Sequence, residues 1–369
     1  MSARIDLIAG ARPNFMKIAS IVRELDRRAA EGGILSYRLV HTGQHYDANM
    51  SGSFFEQLGI PEPQVNLEVG SGTQATQTAA VMTRYEALLM ESPSELCLVV
   101  GDVNSTMACS IAARKLGVPV AHVEAGIRSG DWGMPEEINR VVTDSITNWF
   151  YTTSETANEQ LRRNGVDDDA IVFVGNTMID TLLANRHRFE PPAFLAEHGL
   201  ARGDYYVATL HRPSNVDGEQ HLLAMLRAMA SAADGRKIVF PVHPRTAATL
   251  ARIGLDEPNI LTVEPQPYLQ FNYLVEHARG VITDSGGITE ETTVMDVPCL
   301  TLRTSTERPE TITIGTNELI GTDPEALHAA LARIEAGERK AGGIPPLWDG
   351  RAGERIVAHL ERVLTADPG

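Results

Sequence analysis

The stretch that decides the fold runs from Leu96 to Arg140: LCLVVGDVNSTMACSIAARKLGVPVAHVEAGIRSGDWGMPEEINR. An apolar run ends in Gly101–Asp102, a helical segment spans Ser105–Leu116, and a second apolar run over Val118–Val123 ends in Glu124. A Gly-containing loop then delivers Pro135–Glu136–Glu137 and Arg140. Apolar strands separated by a helix imply a parallel pair. In an open parallel sheet, ligands bind outside the carboxyl ends of the strands. That rule brings Asp102 and Glu124 to one rim, with Glu136 on the loop beside them. Several carboxylates at a strand rim point to proton chemistry.

The same rhythm extends in both directions. Arg4–Ala9 reads as a strand, Pro13–Ala30 as a helix, Tyr37–His41 as a strand and Thr76–Met90 as a helix. Downstream, Pro135–Asn148 and Glu155–Asn164 are helical, and Trp149–Thr152 and Ile171–Val174 are strands. A boundary is expected at Gly175–Asn176. Beyond a connector the pattern restarts, with strands at Tyr205–Thr209, Lys237–Pro241, Asn259–Val263, Gly280–Thr283 and Cys299–Leu302. The expected fold is α/β, with two Rossmann-like doubly wound parallel-sheet domains facing across a cleft. They span 1–175 and 176–353, and the amphipathic C-terminal helix within 354–369 packs back onto the first.

At 369 residues, two cores are the default. The chain has 48 acidic and 32 basic residues, a net charge of −16. That balance argues against a nucleic-acid or anionic-membrane partner and leaves room for a few Arg, Lys and backbone N–H groups to bind phosphate. Cys97, Cys109 and Cys299 have apolar neighbours, no CxxC pairing and no metal-ligand spacing. They read as buried thiols in a reducing compartment, with no metal site. No apolar run reaches the roughly 20 residues of a membrane span, and the first is too short for a signal peptide. A soluble cytoplasmic protein is expected.

Four further segments carry candidate chemistry. In GARPNFMK, Pro13 suits a first helical turn, whose free N–H groups attract anions beside Arg12 and Lys17. A plain turn with two surface cations accounts for it about equally well. In DSGGITEE, Ser285, Gly286 and Gly287 suit a phosphate cradle, and Glu291 could accept hydrogen bonds from ribose hydroxyls. The bland alternative is a helix cap with acids near its start. His211 and Arg212 end one strand and His243 ends another; two histidines at one rim suit a leaving pyrophosphate. Arg303 and Arg308 lie in LRTSTERPE, where Arg favours bidentate phosphate contacts. Among the acids, Glu136 and Glu137 also fit simple helix-start preferences. Arg140 places a cation beside them for substrate. There is no GxGxxG fingerprint and no GxSxG elbow.

Taken together, GARPNFMK, TGQHYD, GDVNST, HVEAGIRSGDWGMPEEINR, TLHRPSN, FPVHPRT, EPQPYLQF, DSGGITEE and LRTSTERPETI resemble, in order, the non-hydrolysing UDP-N-acetylglucosamine 2-epimerases. That family shares the two-domain GT-B architecture. The resemblance implies interconversion of UDP-N-acetylglucosamine and UDP-N-acetylmannosamine by elimination of UDP to 2-acetamidoglucal and re-addition, with no cofactor. It implies Asp102, Glu124 and Glu136 as acid/base carboxylates, and His211, with Arg12 and Lys17, as stabilisers of the departing diphosphate. Ser285, Gly286 and Gly287 would cradle that diphosphate, Glu291 would hold the ribose, Arg308 would support the nucleotide, and Gln266 and Phe271 would lie near the uracil. A homodimer working in cell-envelope polysaccharide synthesis is also implied.

There are departures. Ala11 and Asn14 stand where many members read GTRPE, the loop from Glu124 to Glu136 is shorter, and Thr289 replaces a Gln. Bacterial members bind a second UDP-N-acetylglucosamine through TGQHxQ and a nearby Arg. Here Gln44 and His45 match, Asp47 replaces the second Gln, and Gly70–Ser71–Gly72 stands near the place of the Arg. A hydrolysing variant releasing UDP and N-acetylmannosamine, a 2-epimerase of a UDP-2,3-diacetamido sugar, a glycosyltransferase and a non-catalytic nucleotide-sugar sensor are the competing readings.

Overall fold

The computed structural model describes residues 3–43, 52–216, 218–242 and 244–365. The chain divides into two compact units, Met1–Ala184 with Pro346–Gly369, and Asn185–Pro345.

Among the described residues, unit 1 contains seven strands: β1 (Ala3–Ala9), β2 (Leu35–His41), β3 (Val65–Asn66), β4 (Leu96–Val100), β5 (Val120–Val123), β6 (Trp149–Thr152) and β7 (Ile171–Phe173). They pair in parallel in the order β3-β2-β1-β4-β5-β6-β7. Every residue of β4 and β5 is buried, as strands covered on both faces must be. The helix Arg12–Ala30 buries Phe15, Ile18, Ala19, Ile21, Val22 and Leu25, an apolar stripe at helical spacing. Each large side chain in it contributes about 1.5–3 kcal/mol by leaving water. The strand order reverses between β1 and β4, the switch point where such sheets hold ligands. Val100 pairs with Val123, so Gly101 and Glu124 leave the sheet side by side.

Unit 2 repeats the plan with β8 (Tyr205–Thr209), β9 (Lys237–Pro241), β10 (Ile260–Val263), β11 (Gly280–Thr283), β12 (Cys299–Thr301) and β13 (Asn317–Leu319). Their order is β10-β9-β8-β11-β12-β13, again parallel. The reversal falls between β8 and β11, whose pairing of Thr209 with Thr283 sets Leu210 beside Asp284. The two doubly wound parallel sheets expected from the sequence are borne out.

The division between units differs from the expected one. The helix Thr177–Asn185 belongs to unit 1 almost to its end, because Thr181 donates to the Met16 carbonyl at 2.7 Å and Asp180 accepts from the Gly353 N–H at 2.8 Å. The return to unit 1 also begins earlier, at Pro346. Trp348 is 1% exposed there and donates to the Thr153 carbonyl at 3.0 Å. Gly175 has φ +90, and a Cβ on it would meet the Leu347 oxygen at 2.0 Å. This glycine therefore marks a close chain crossing inside unit 1 and not a boundary. The C-terminal helix Ala352–Thr365 packs on the helix Arg12–Ala30, as expected. The three cysteines are free and buried. No helix among the described residues is long and apolar enough to cross a membrane.

Candidate active site

At the switch point of unit 1 the acids are organised by cations. Lys17, one turn into the helix after β1, donates from Nζ to Glu124 Oε2 at 2.6 Å. Glu124 is buried and takes a left-handed backbone, φ +67. Gly101 passes beside the pair with φ +70; a Cβ there would lie 3.3 Å from Lys17 Nζ and 3.5 Å from Asn14 Nδ2. The positive φ favours glycine here, and a side chain would crowd the lysine end of the pair. Asn14 closes the loop after β1, accepting from the Gly10 and Ala11 N–H groups at 3.0 and 2.9 Å and donating to the Val100 carbonyl at 3.2 Å.

Asp102 is held from the helix Pro135–Ile146. Arg140 pairs with its carboxylate through Nη2, and Asn139 donates to its backbone carbonyl at 2.8 Å. The other Arg140 nitrogen, Nη1, reaches Glu137 at 3.2 Å. Glu137 accepts from the Ser129 N–H, the Ser129 hydroxyl and the Gly130 N–H at 2.8, 3.0 and 3.1 Å. Burial pushes the Glu137 carboxyl up, but these bonds and Arg140 outweigh it and hold it below the usual range. Glu137 is thus an anion that clamps the short loop to the helix start. Glu136, next to it, lines a pocket of about 260 Å³ with Gln74, Gln77, Asn104 and Asn139. Arg12 lies with its guanidinium over the Phe54 ring, 4.9 Å from the centroid.

The rim of unit 2 is built around Asp284. Its carboxylate accepts from the His211 N–H at 3.0 Å, the Arg212 N–H at 2.9 Å and Asn215 Nδ2 at 3.0 Å. Burial raises this carboxyl, and the bonds from His211, Asn215 and Arg212 more than reverse that. The His211 ring stays exposed, its Nδ1 3.7 Å from Asp284. Ser285 occupies the N-cap of the helix Gly286–Met295 with no side-chain cap bond among the described residues. The first-turn N–H groups at Gly286 and Gly287 thus suit an anion. Glu291 is buried in that helix, and burial, reinforced by Glu290, pushes its carboxyl up to about 8. A bond from Asn272, on the helix Tyr268–His277 that also carries Phe271, offsets part of this. Arg308 pairs through Nε with Glu290 on the same helix as Glu291, and Arg303 is bidentate to Glu307 at 2.7 and 2.8 Å. Gln266 sits in the loop after β10, its amide on the Glu264 carbonyl.

Within unit 1 the structure therefore gathers Lys17, Asp102, Glu124 and Arg140, and sets Glu136 on the helix that holds Asp102. Within unit 2 it gathers His211 on Asp284, just before Ser285–Gly287, and pairs Arg308 with Glu290, the residue before Glu291. Gln44, His45 and His243 lie outside the described residues. The sequence shows Asn14 only as a departure from GTRPE and does not single out His122, Asp144 or Asn139. A polar residue inside an otherwise apolar strand was the signal available for His122.

Two doubly wound sheets, one with ion-paired acids at its switch point and the other with a Gly-rich helix start at its own, define a Rossmann-like α/β enzyme. A family-wide sequence profile described as UDP-N-acetylglucosamine 2-epimerase matches residues 27–361. The UDP-N-acetylglucosamine 2-epimerase of Methanocaldococcus jannaschii is 37% identical, over 98% of this chain and 99% of its own. The UDP-2,3-diacetamido-2,3-dideoxy-D-glucuronate 2-epimerase of Pseudomonas aeruginosa is also 37% identical, over 98% of this chain and 100% of its own. The crystal structure of the M. jannaschii enzyme in complex with UDP-GlcNAc and UDP matches with a TM-score of 0.85 at 38% identity, covering 97% of this chain and 99% of that one. The chain belongs to the UDP-N-acetylglucosamine 2-epimerase family and is, as such, an isomerase.

Proposed function

We propose that this enzyme interconverts UDP-N-acetylglucosamine and UDP-N-acetylmannosamine without hydrolysis. The observation that carries the reading is the grouping of Glu124 on Lys17 and Asp102 on Arg140 at one switch point, in a chain that matches a UDP-GlcNAc-bound relative over nearly its whole length. The proton at C2 is not activated by an adjacent carbonyl. A carboxylate removes it as UDP leaves C1, giving 2-acetamidoglucal. A second carboxylic acid then protonates C2 on the opposite face, and UDP returns to C1. Two faces need more than one acid, which Asp102, Glu124 and Glu136 supply. His211 and the helix start at Ser285–Gly287 stabilise the diphosphate charge, and Glu291 takes the ribose.

A second reading, epimerisation of a UDP-2,3-diacetamido uronic acid, is favoured by the equal identity to the P. aeruginosa enzyme. Proton NMR in D₂O with a panel of UDP-sugars tests both. The manno isomer with deuterium at C2 supports the proposal, and faster turnover of the diacetamido uronate supports the second reading. Free N-acetylmannosamine accumulating with UDP indicates a hydrolysing enzyme. No isomer and no deuterium uptake from any sugar sinks the epimerase assignment.

A further inference from the structure

His122 lies on β5, two residues before Glu124, and is 1% exposed. An apolar side chain would fill this strand position without needing polar partners. His122 has two. Its Nε2 donates to the Gly101 carbonyl at 2.8 Å, and its Nδ1 lies 2.7 Å from Asp144 Oδ1. The Gly101 carbonyl belongs to the peptide that leads into Asp102. The other Asp144 oxygen accepts from the Gly126 N–H at 3.1 Å and pairs with Arg128 Nη2 at 2.7 Å, both in the turn that leaves Glu124. Burial pushes the Asp144 carboxyl up, but His122 and Arg128 outweigh it and hold it below the usual range.

One imidazole–carboxylate pair is therefore fixed at one end to the peptide before Asp102 and at the other to the turn after Glu124. Glu124 itself sits in a left-handed backbone that a non-glycine residue keeps only when its surroundings dictate it. We propose that His122, held by Asp144, is a positioning residue that sets the placement of Asp102 and Glu124 against the reacting carbon. This rests on the epimerase reading. Removing an unactivated proton is sensitive to placement, and a shift of about 1 Å in a catalytic group can cost on the order of 100-fold in rate.

Two substitutions separate the ends of the bridge. His122→Gln places an amide nitrogen near the position of Nε2 and keeps a donor for the Gly101 carbonyl. His122→Asn reaches only to the position of Nδ1, keeping a partner for Asp144 and losing Gly101. We would measure kcat and KM on the sugar that wild type turns over, UDP affinity by calorimetry, and thermal melting. In His122→Asn, kcat is expected to fall on the order of 100-fold, with KM and UDP affinity changed by no more than about threefold; His122→Gln should recover at least about tenfold of that loss. Should His122→Asn not fold, Asp144→Asn, which weakens the hold on the ring, is expected to lower kcat while sparing KM. Equal losses in the Asn and Gln variants, a wild-type kcat in His122→Asn, or a loss confined to KM overturns the proposal. A wild-type protein that turns over no UDP-sugar overturns the epimerase reading itself, and the proposal with it.

Discussion

Lys17 Nζ lies 2.6 Å from Glu124 Oε2, and the two residues reach each other from opposite sides of the reversal in strand order, one following β1 and the other β5. The pair is thus a product of topology: parallel strands put both carboxyl ends on one rim, and the reversal between β1 and β4 opens the crevice where the two loops meet. Placed there, Glu124 is a buried acid with a cation on one of its carboxylate oxygens.

Glu124→Gln is nearly isosteric and leaves Lys17 an acceptor, but it removes a carboxylate proposed to move the C2 proton. C2 deuterium exchange is expected to fall by about 10²–10⁴-fold. UDP binding should survive, because the diphosphate and ribose groups proposed above lie in unit 2. Exchange at the wild-type rate would remove Glu124 from the acid/base role.

The sheets were legible because most of their strands are apolar runs bounded by turns, and the candidate site because Asp102, Glu124, His211 and Ser285 each fall just past a strand end. What escaped is equally physical. The strands Val65–Asn66 and Asn317–Leu319 are too short to show a period. The boundary at Gly175 was misplaced because a glycine with φ +90 serves a chain crossing as readily as a linker. His122 and Asp144 stand far apart in sequence from what they bond, as Asn14 does from Val100, and no spacing rule reveals such pairs.

Arg140→Lys tests how Asp102 is aimed. Arg140 uses separate nitrogens for Asp102 and Glu137. A lysine ammonium is a point charge on a flexible stem and cannot span both with the planar fork of arginine. The expected result is a kcat loss approaching about 100-fold, with melting little changed because the charge is kept. A wild-type kcat in NMR time courses would mean that Asn139 alone orients Asp102.

Trp348→Ala tests the return of the chain to unit 1. The indole is 1% exposed and bonded to the Thr153 carbonyl. Truncating a buried Trp costs about 3–5 kcal/mol. Trp348→Phe keeps most of the apolar volume and should cost less, although it leaves the Thr153 carbonyl without this donor, worth about 1–3 kcal/mol. Urea unfolding of the two variants should rank them in that order. Equal stability of wild type and the Ala variant would show that residues from Pro346 onward contribute nothing to the unit 1 core.

Glu291 predicts a pH dependence of definite sign. Burial, reinforced by Glu290, raises its carboxyl from the ordinary 4.5 to about 8 in the folded chain. Between those values the folded state holds a proton that the unfolded state has released. Stability must therefore fall as pH rises through that window, and level off once both states are ionised. Below the unfolded value both states are protonated and the group contributes no slope. Glu291→Gln is neutral at every pH and lacks this contribution. The melting temperature of wild type relative to the variant should accordingly decline from about pH 5 to about pH 8, measured without UDP and at fixed salt. A difference that stays flat across that range would mean that the folded carboxyl titrates normally and is solvated or paired in solution.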